Sequence, residues 1–150
     1  LPGCLNATIE LHFPNRLNFM TVPIWCLLIG AVLPYIWAGS SLPFRAKQFG
    51  QPDLKEPRVQ AEALTGGGAR AWGAQMNAWE ALTVFGLANL AAFMVGLEPD
   101  GNWSLAAMIW VGARAAHGVA YIANIAPVRL LSFATGGGMS FWIFAQALNA

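Results

Sequence analysis

Charge is what this chain has least of. Charged residues make up 10% of its 150 positions, against roughly 25% in an average soluble domain. The formal net charge is +1, which leaves no electrostatic basis for a nucleic-acid partner. Cysteine and histidine are as scarce: Cys4, Cys26, His12 and His117 are too few and too scattered for a metal site. Cys26 lies in an apolar run and reads as a small buried hydrophobe, while Cys4 is assigned no role. No Ser-His-Asp or Cys-His nucleophilic set assembles. The Gly66-Gly67-Gly68 triplet has neither the lysine nor the strand of a phosphate loop. Residues 1–19 lack a basic segment followed by an apolar core, so no secretory leader is read there.

Apolar residues are abundant. They make up 57% of the chain, seven of them tryptophan, and mean hydropathy is +0.51. So much apolar surface does not fit the core of one small soluble domain, whereas tryptophan suits a bilayer interface. The expectation is an all-α integral membrane protein, a bundle of four transmembrane helices, with the lipid bilayer as its surroundings.

Residues 1–19 read as a non-spanning arm, with Met20 a candidate start and 1–19 then a non-native extension. The transmembrane domain is placed at 20–150, with spans at about 21–42, 71–97, 103–124 and 128–148. Pro34 is expected to kink the first span and Pro43 to mark its exit. A polar loop follows over 44–58, then a short interfacial helix, and the glycine triplet is expected to weaken the junction into span two. Glu98-Pro99-Asp100-Gly101-Asn102 is a turn signature. Gly136-Gly137-Gly138 and Ser140 suit close helix contact in lipid. Arg45, Lys47, Lys55 and Arg58 lie in the first connection and Arg129 in the third, with no cation in the second. This predicts cytoplasmic first and third connections and both termini outside.

Polar residues inside apolar spans carry the functional signal, because a carboxylate there is costly without a partner or a task. At about 100° per residue, Arg70, Gly73, Asn77, Glu80 and Val84 share one face of span two, with Gln75 roughly opposite. Trp110, Arg114, His117, Tyr121 and Asn124 share a face of span three. Glu80 and Arg114 lie at matching depths of roughly 14–15 Å, which predicts a buried ion pair, the alternative being that Arg114 pairs with backbone or water. His117 reads as a hydrogen-bonding member of its stripe, with ligand contact as the sharper alternative. Arg129 stands in the first turn of span four, where free N–H groups favour an anion; taken alone it reads as a cation that snorkels or obeys the charge rule.

The stretch Arg70–Phe85, RAWGAQMNAWEALTVF, resembles the second-span signature of the MAPEG family, membrane-associated proteins in eicosanoid and glutathione metabolism. Its Ala74-Gln75, Asn77 and Glu80 stand in the A-Q-x-N-x-x-E arrangement. RAAHGVAYIANIAPVRLLSF is similar to the family's third-to-fourth-span signature, and KQFGQPDLKEPR resembles the polar loop of bacterial members. The resemblance implies a homotrimer with glutathione held between subunits near the cytoplasmic face. It implies glutathione contacts from Arg70, Gln75, Asn77, Glu80, Arg114 and Tyr121, to which the stripe adds His117. It makes Arg129 the catalytic cation that stabilises the glutathione thiolate, the nucleophilic form. The implied activity is a glutathione transferase or peroxidase that conjugates or reduces lipophilic electrophiles entering from the bilayer.

The pattern departs from the well-studied members in places. Gly73 stands where they carry Arg and Ala81 where they carry Tyr, the ring residue at 117 is commonly Tyr, and the Tyr121-to-Arg129 interval is one residue longer than in some eukaryotic members. Fewer arginines mean fewer charge-assisted bonds to glutathione's two carboxylates. The alternative is therefore a non-catalytic membrane protein whose polar stripes fix helix register and trimer assembly. A channel or transporter would need a continuous polar path, and the polar residues cluster toward one leaflet.

Overall fold

A computed structural model describes residues 22–99 and 101–150; the arm expected at 1–19 lies outside the described residues. Every element among them is helical: α1 (Val22–Ser40), α2 (Leu42–Phe49), α3 (Pro57–Glu62), α4 (Gly66–Met94), α5 (Asn102–Ile122) and α6 (Ala126–Leu148). Two stretches, Val22–Phe49 and Asn102–Ile122, are long and apolar enough to cross a membrane. At 29 and 23 residues, α4 and α6 have the length, but their polar and glycine positions lower their hydropathy.

Pro43 does not end the first helical stretch. It sits in the first turn of α2, where its missing N–H costs nothing, and only the turn at Ser41 separates α2 from α1. The glycine triplet likewise belongs to α4 and opens it. Gly66 takes φ +56°, and Gly68 packs so that an added β-carbon would lie 2.8 Å from Leu64 Cδ2 and 2.9 Å from Phe44 Cβ. Close packing at the glycines outweighs their low helix propensity. Between α2 and α4 the polar loop is knitted by side chains. Arg45, buried, donates to the Pro57 carbonyl at 2.8 Å, and Gln48 Oε1 accepts the Thr65 N–H at 3.0 Å.

Two helices end in the same way. Gly96 (φ +72°) follows α4, with Leu97 N–H bonded to the Ala92 carbonyl at 3.0 Å and Gly96 N–H to Phe93 at 3.1 Å. Asn124 (φ +61°) follows α5, with Ile125 N–H to Ala120 at 2.9 Å and Asn124 N–H to Tyr121 at 3.2 Å. Both are Schellman caps, which return the chain antiparallel after a few residues. Asn124, expected in the polar stripe, is the left-handed residue of its cap.

Helices α4 and α5 form the central pair, each packed against α1, against α6 and against the other. Alanines at 71, 74, 78, 88 and 92 of α4 are buried and let the backbones approach. The main core is a Phe85–Trp110 stack, centroids 3.9 Å apart and rings 7° from parallel, surrounded by Cys26, Ala88, Ala107 and Ile143. Gly118 lies directly beneath the Trp37 ring, and Gly30 lies against Trp110. Around this core Leu28, Ile36, Phe93, Leu130, Leu131 and Phe141 point outward, an apolar exterior of the kind lipid solvates.

Candidate functional site

The site is built where α4 runs antiparallel to α5, and its contacts rise level by level from the first-connection end. Arg70 Nε donates to the Ile122 carbonyl at 2.9 Å, satisfying an acceptor in the last turn of α5 and placing a cation at that helix's negative end. Next along α4 is Gly73. A β-carbon there would stand 2.8 Å from Tyr121 Oη and 3.0 Å from its Cε1, so the Tyr121 ring rests on bare backbone. Deeper still, Arg114 Nη2 donates to Asn77 Oδ1 at 2.5 Å and to the Asn77 carbonyl at 3.3 Å. The order 70, 73, 77 along α4 thus meets 122, 121, 114 along α5, and the two stripes legible in the sequence face each other.

The ion pair expected between Glu80 and Arg114 is not made directly. Asn77 stands between them: its Oδ1 accepts a hydrogen bond from the guanidinium, and its Nδ2 donates to Glu80 Oε2 at 3.4 Å. An amide is suited to this relay because it presents an acceptor and a donor from one side chain. Arg114 is 3% exposed, whereas Glu80 faces outward from the chain. The aliphatic stem of Arg114 crosses α6 at Gly136, where an added β-carbon would stand 3.0 Å from Arg114 Cδ. Its Nε has no hydrogen-bond partner among the described residues.

Three site residues converge where α5 passes the start of α6. His117 Nδ1 lies 3.0 Å from the Arg129 carbonyl. His117 and Tyr121 make a T-shaped contact with centroids 5.6 Å apart. The Arg129 guanidinium carbon sits 4.7 Å from the Tyr121 ring centroid, a cation–π distance. His117 is 3% exposed and its Nε2 has no partner among the described residues. Gln75 stays apart: it is half-buried on α4 and its side chain makes no hydrogen bond among the described residues.

Other polar residues were not singled out in advance. Asn89, buried, accepts from Trp103 Nε1 at 2.9 Å and donates to the Phe85 carbonyl at 2.7 Å, which pins α4 to the start of α5. Ser132, buried on α6 one turn before the expected contact residue Gly136, bonds back to the Val128 and Arg129 carbonyls. Their spacing was the available signal, because small residues four apart mark close helix contact.

Chemically, the arrangement offers a half-buried guanidinium, Arg129, backed by an aromatic face, beside a relay from the buried Arg114 guanidinium through the Asn77 amide to the outward-facing Glu80 carboxylate. Among the described residues no cluster of His, Cys, Asp or Glu could hold a metal ion.

The MAPEG family model matches residues 22–149, nearly the whole chain, and the chain belongs to the MAPEG family. The membrane is therefore its setting. Comparison with curated proteins and with solved structures found no match.

Proposed function

With family membership as premise, we propose that this chain is a four-span, trimeric membrane enzyme that uses glutathione on lipophilic electrophiles. In this reading Arg129 carries the chemistry: a guanidinium beside a thiol lowers its pKa from about 8.5 and raises the thiolate fraction. The observation that carries the reading is the Arg129–Tyr121 stack, which holds a cation at the start of α6 next to the α4–α5 polar relay.

The donor set fits the co-substrate. Glutathione has two carboxylates, an ammonium group and a thiol. Arg70 and Arg114 supply cations for the carboxylates, Asn77, Gln75 and Tyr121 supply neutral hydrogen bonds, and the Glu80 carboxylate suits the ammonium. His117 is grouped with them by its place on the stripe. Glu80 also supports the trimer. An outward-facing carboxylate in a spanning helix costs several kcal/mol against hydrocarbon, and a neighbouring copy covering this α4 face removes that cost. The site would then open at the cytoplasmic end, with first and third connections on that side.

A second reading, a non-catalytic protein that keeps the fold, is favoured by the burial of Arg114 and by Tyr121 occupying the surface of Gly73. Binding decides between the two. Glutathione added to purified protein should give the ultraviolet absorbance of a thiolate in wild type and lose it in Arg129→Ala. Binding in neither protein would leave the second reading standing.

A further inference from the structure

We propose that His117 is a positioning residue that fixes both the backbone and the side chain of Arg129. The proposal rests on the reading of Arg129 as the thiolate-binding cation, but the contact can be tested without glutathione.

The argument starts from which atoms can donate. A backbone carbonyl only accepts, so the 3.0 Å contact with the Arg129 carbonyl requires the proton on His117 Nδ1. A neutral imidazole then has a lone pair, not an N–H, at Nε2. The buried Nε2, without a partner among the described residues, is that lone pair.

The Schellman bond from Ile125 N–H to the Ala120 carbonyl at 2.9 Å fixes the entry to α6, and side chains add little at that point. The N-cap, Ile125, makes no side-chain cap, and Pro127 has no N–H to give. The chain reaches it through the short turn after Ile122. The His117 bond ties the first turn of α6 back onto the body of α5. The same imidazole sets the side chain as well, through the T-shaped contact with Tyr121, whose ring carries the Arg129 guanidinium at 4.7 Å. His117, Tyr121 and Arg129 therefore close a triangle, with Gly73 providing the space for the Tyr121 hydroxyl end. Without the ring N–H, the Arg129 carbonyl keeps only the Ser132 hydroxyl at 3.2 Å as a side-chain partner, its tie to α5 is lost, and the guanidinium leaves its aromatic platform.

The test uses full-length protein in nanodiscs with ¹⁵N-labelled histidine, and His12→Gln to leave one signal. His117 should show the Nδ1–H tautomer, and an Nε2–H tautomer would overturn the proposal. Labelled arginine supplies the second readout, since the Arg129 guanidinium protons should carry an upfield ring-current shift from Tyr121. That shift should vanish in His117→Phe, which keeps a ring but has no donor, and return in His117→Asn, whose amide N–H replaces Nδ1–H. Retention of the shift in His117→Phe would also overturn the proposal. With glutathione present, thiolate formation in His117→Phe should move up by about one pH unit, a tenfold loss of thiolate at fixed pH, and His117→Asn should recover it. Absence of thiolate in wild type would defeat the functional reading alone, because the two binding-independent readouts still decide this one.

Discussion

Arg114 and Asn77 meet 2.5 Å apart across the α4–α5 interface, so an amide, not a carboxylate, is the immediate partner of the buried guanidinium. The carboxylate of Glu80 acts at one remove, through the same amide. Which residue supports the buried charge decides which substitutions are costly.

Asn77→Leu removes the side-chain acceptor and leaves the buried guanidinium only the residue-77 backbone carbonyl, at 3.3 Å. It should destabilise the protein by about 3 kcal/mol, read as a fall in the thermal midpoint in detergent. Glu80→Gln still offers an acceptor to the Asn77 amide and should cost less, under about 1 kcal/mol. Asn77→Leu with Arg114→Met should recover much of the single-variant loss, since no stranded charge remains. Equal losses for Asn77→Leu and Glu80→Gln would contradict the relay.

Much of this interface was legible before any coordinates. Helical arithmetic placed Arg70, Gly73 and Asn77 on one face and Arg114, His117 and Tyr121 on another, and those faces meet at Arg114 and Tyr121, while His117 turns to α6. The pairing within the interface was not legible. Periodicity fixes the face and depth of a residue but not which side chain reaches across, and Asn77 and Glu80 differ by roughly 60° around the helix. Depth alone favoured the carboxylate, but the amide lies closer to the axis of contact. Asn89 went unread because a lone asparagine in an apolar run gives no hint that an indole N–H needs it. The helical glycine triplet went unread because propensity is local, whereas Phe44 and Leu64 reach it from other elements.

Two glycines of α5 should respond in opposite senses. A methyl at Gly118 would enter the Trp37 ring, while one at Gly112 meets nothing within 4 Å. Gly118→Ala should cost about 1–3 kcal/mol through overpacking. Gly112→Ala should be neutral or stabilising by up to about 1 kcal/mol, from helix propensity. Thermal midpoints of the two variants check this, and matching losses would mean that Trp37 does not lie on Gly118.

Outside the membrane, the first connection should be pH-sensitive through Asp53. The Glu56 and Lys55 backbone N–H groups hold its carboxyl below the usual carboxylate range, with Oδ1 2.7 Å from Lys55 N and 3.1 Å from Glu56 N. A depressed folded-state pKa means that the turn is stabilised above the unfolded value, about 3.9, and loses that stabilisation as pH falls through the lower folded value. Proteolytic nicking of residues 50–57 by an acid-active protease should therefore rise as pH drops below about 4. Asp53→Asn should nick readily even at higher pH and flatten the profile. An unchanged profile in that variant would remove Asp53 as the cause.

Gly73 offers the sharpest test of the site, because this chain has no side chain where well-studied relatives carry arginine. Tyr121 uses the space. The ring that supports Arg129 ends 2.8 Å from where a Gly73 β-carbon would stand, so Gly73→Ala must move the ring or strain the helix, at about 1–2 kcal/mol. Tyr121→Phe removes the closest of those atoms, Oη, and leaves Cε1 and Cζ at 3.0 Å, so it should relieve part of the strain. The double variant should then be more stable than the sum of the single effects by at least about 0.5 kcal/mol, the coupling typical of residues in contact. Strict additivity would mean that Tyr121 does not lean on α4, and Arg129 would then lack its platform. Coupling in stability together with loss of thiolate in Gly73→Ala would make the missing side chain part of how this protein places its arginine.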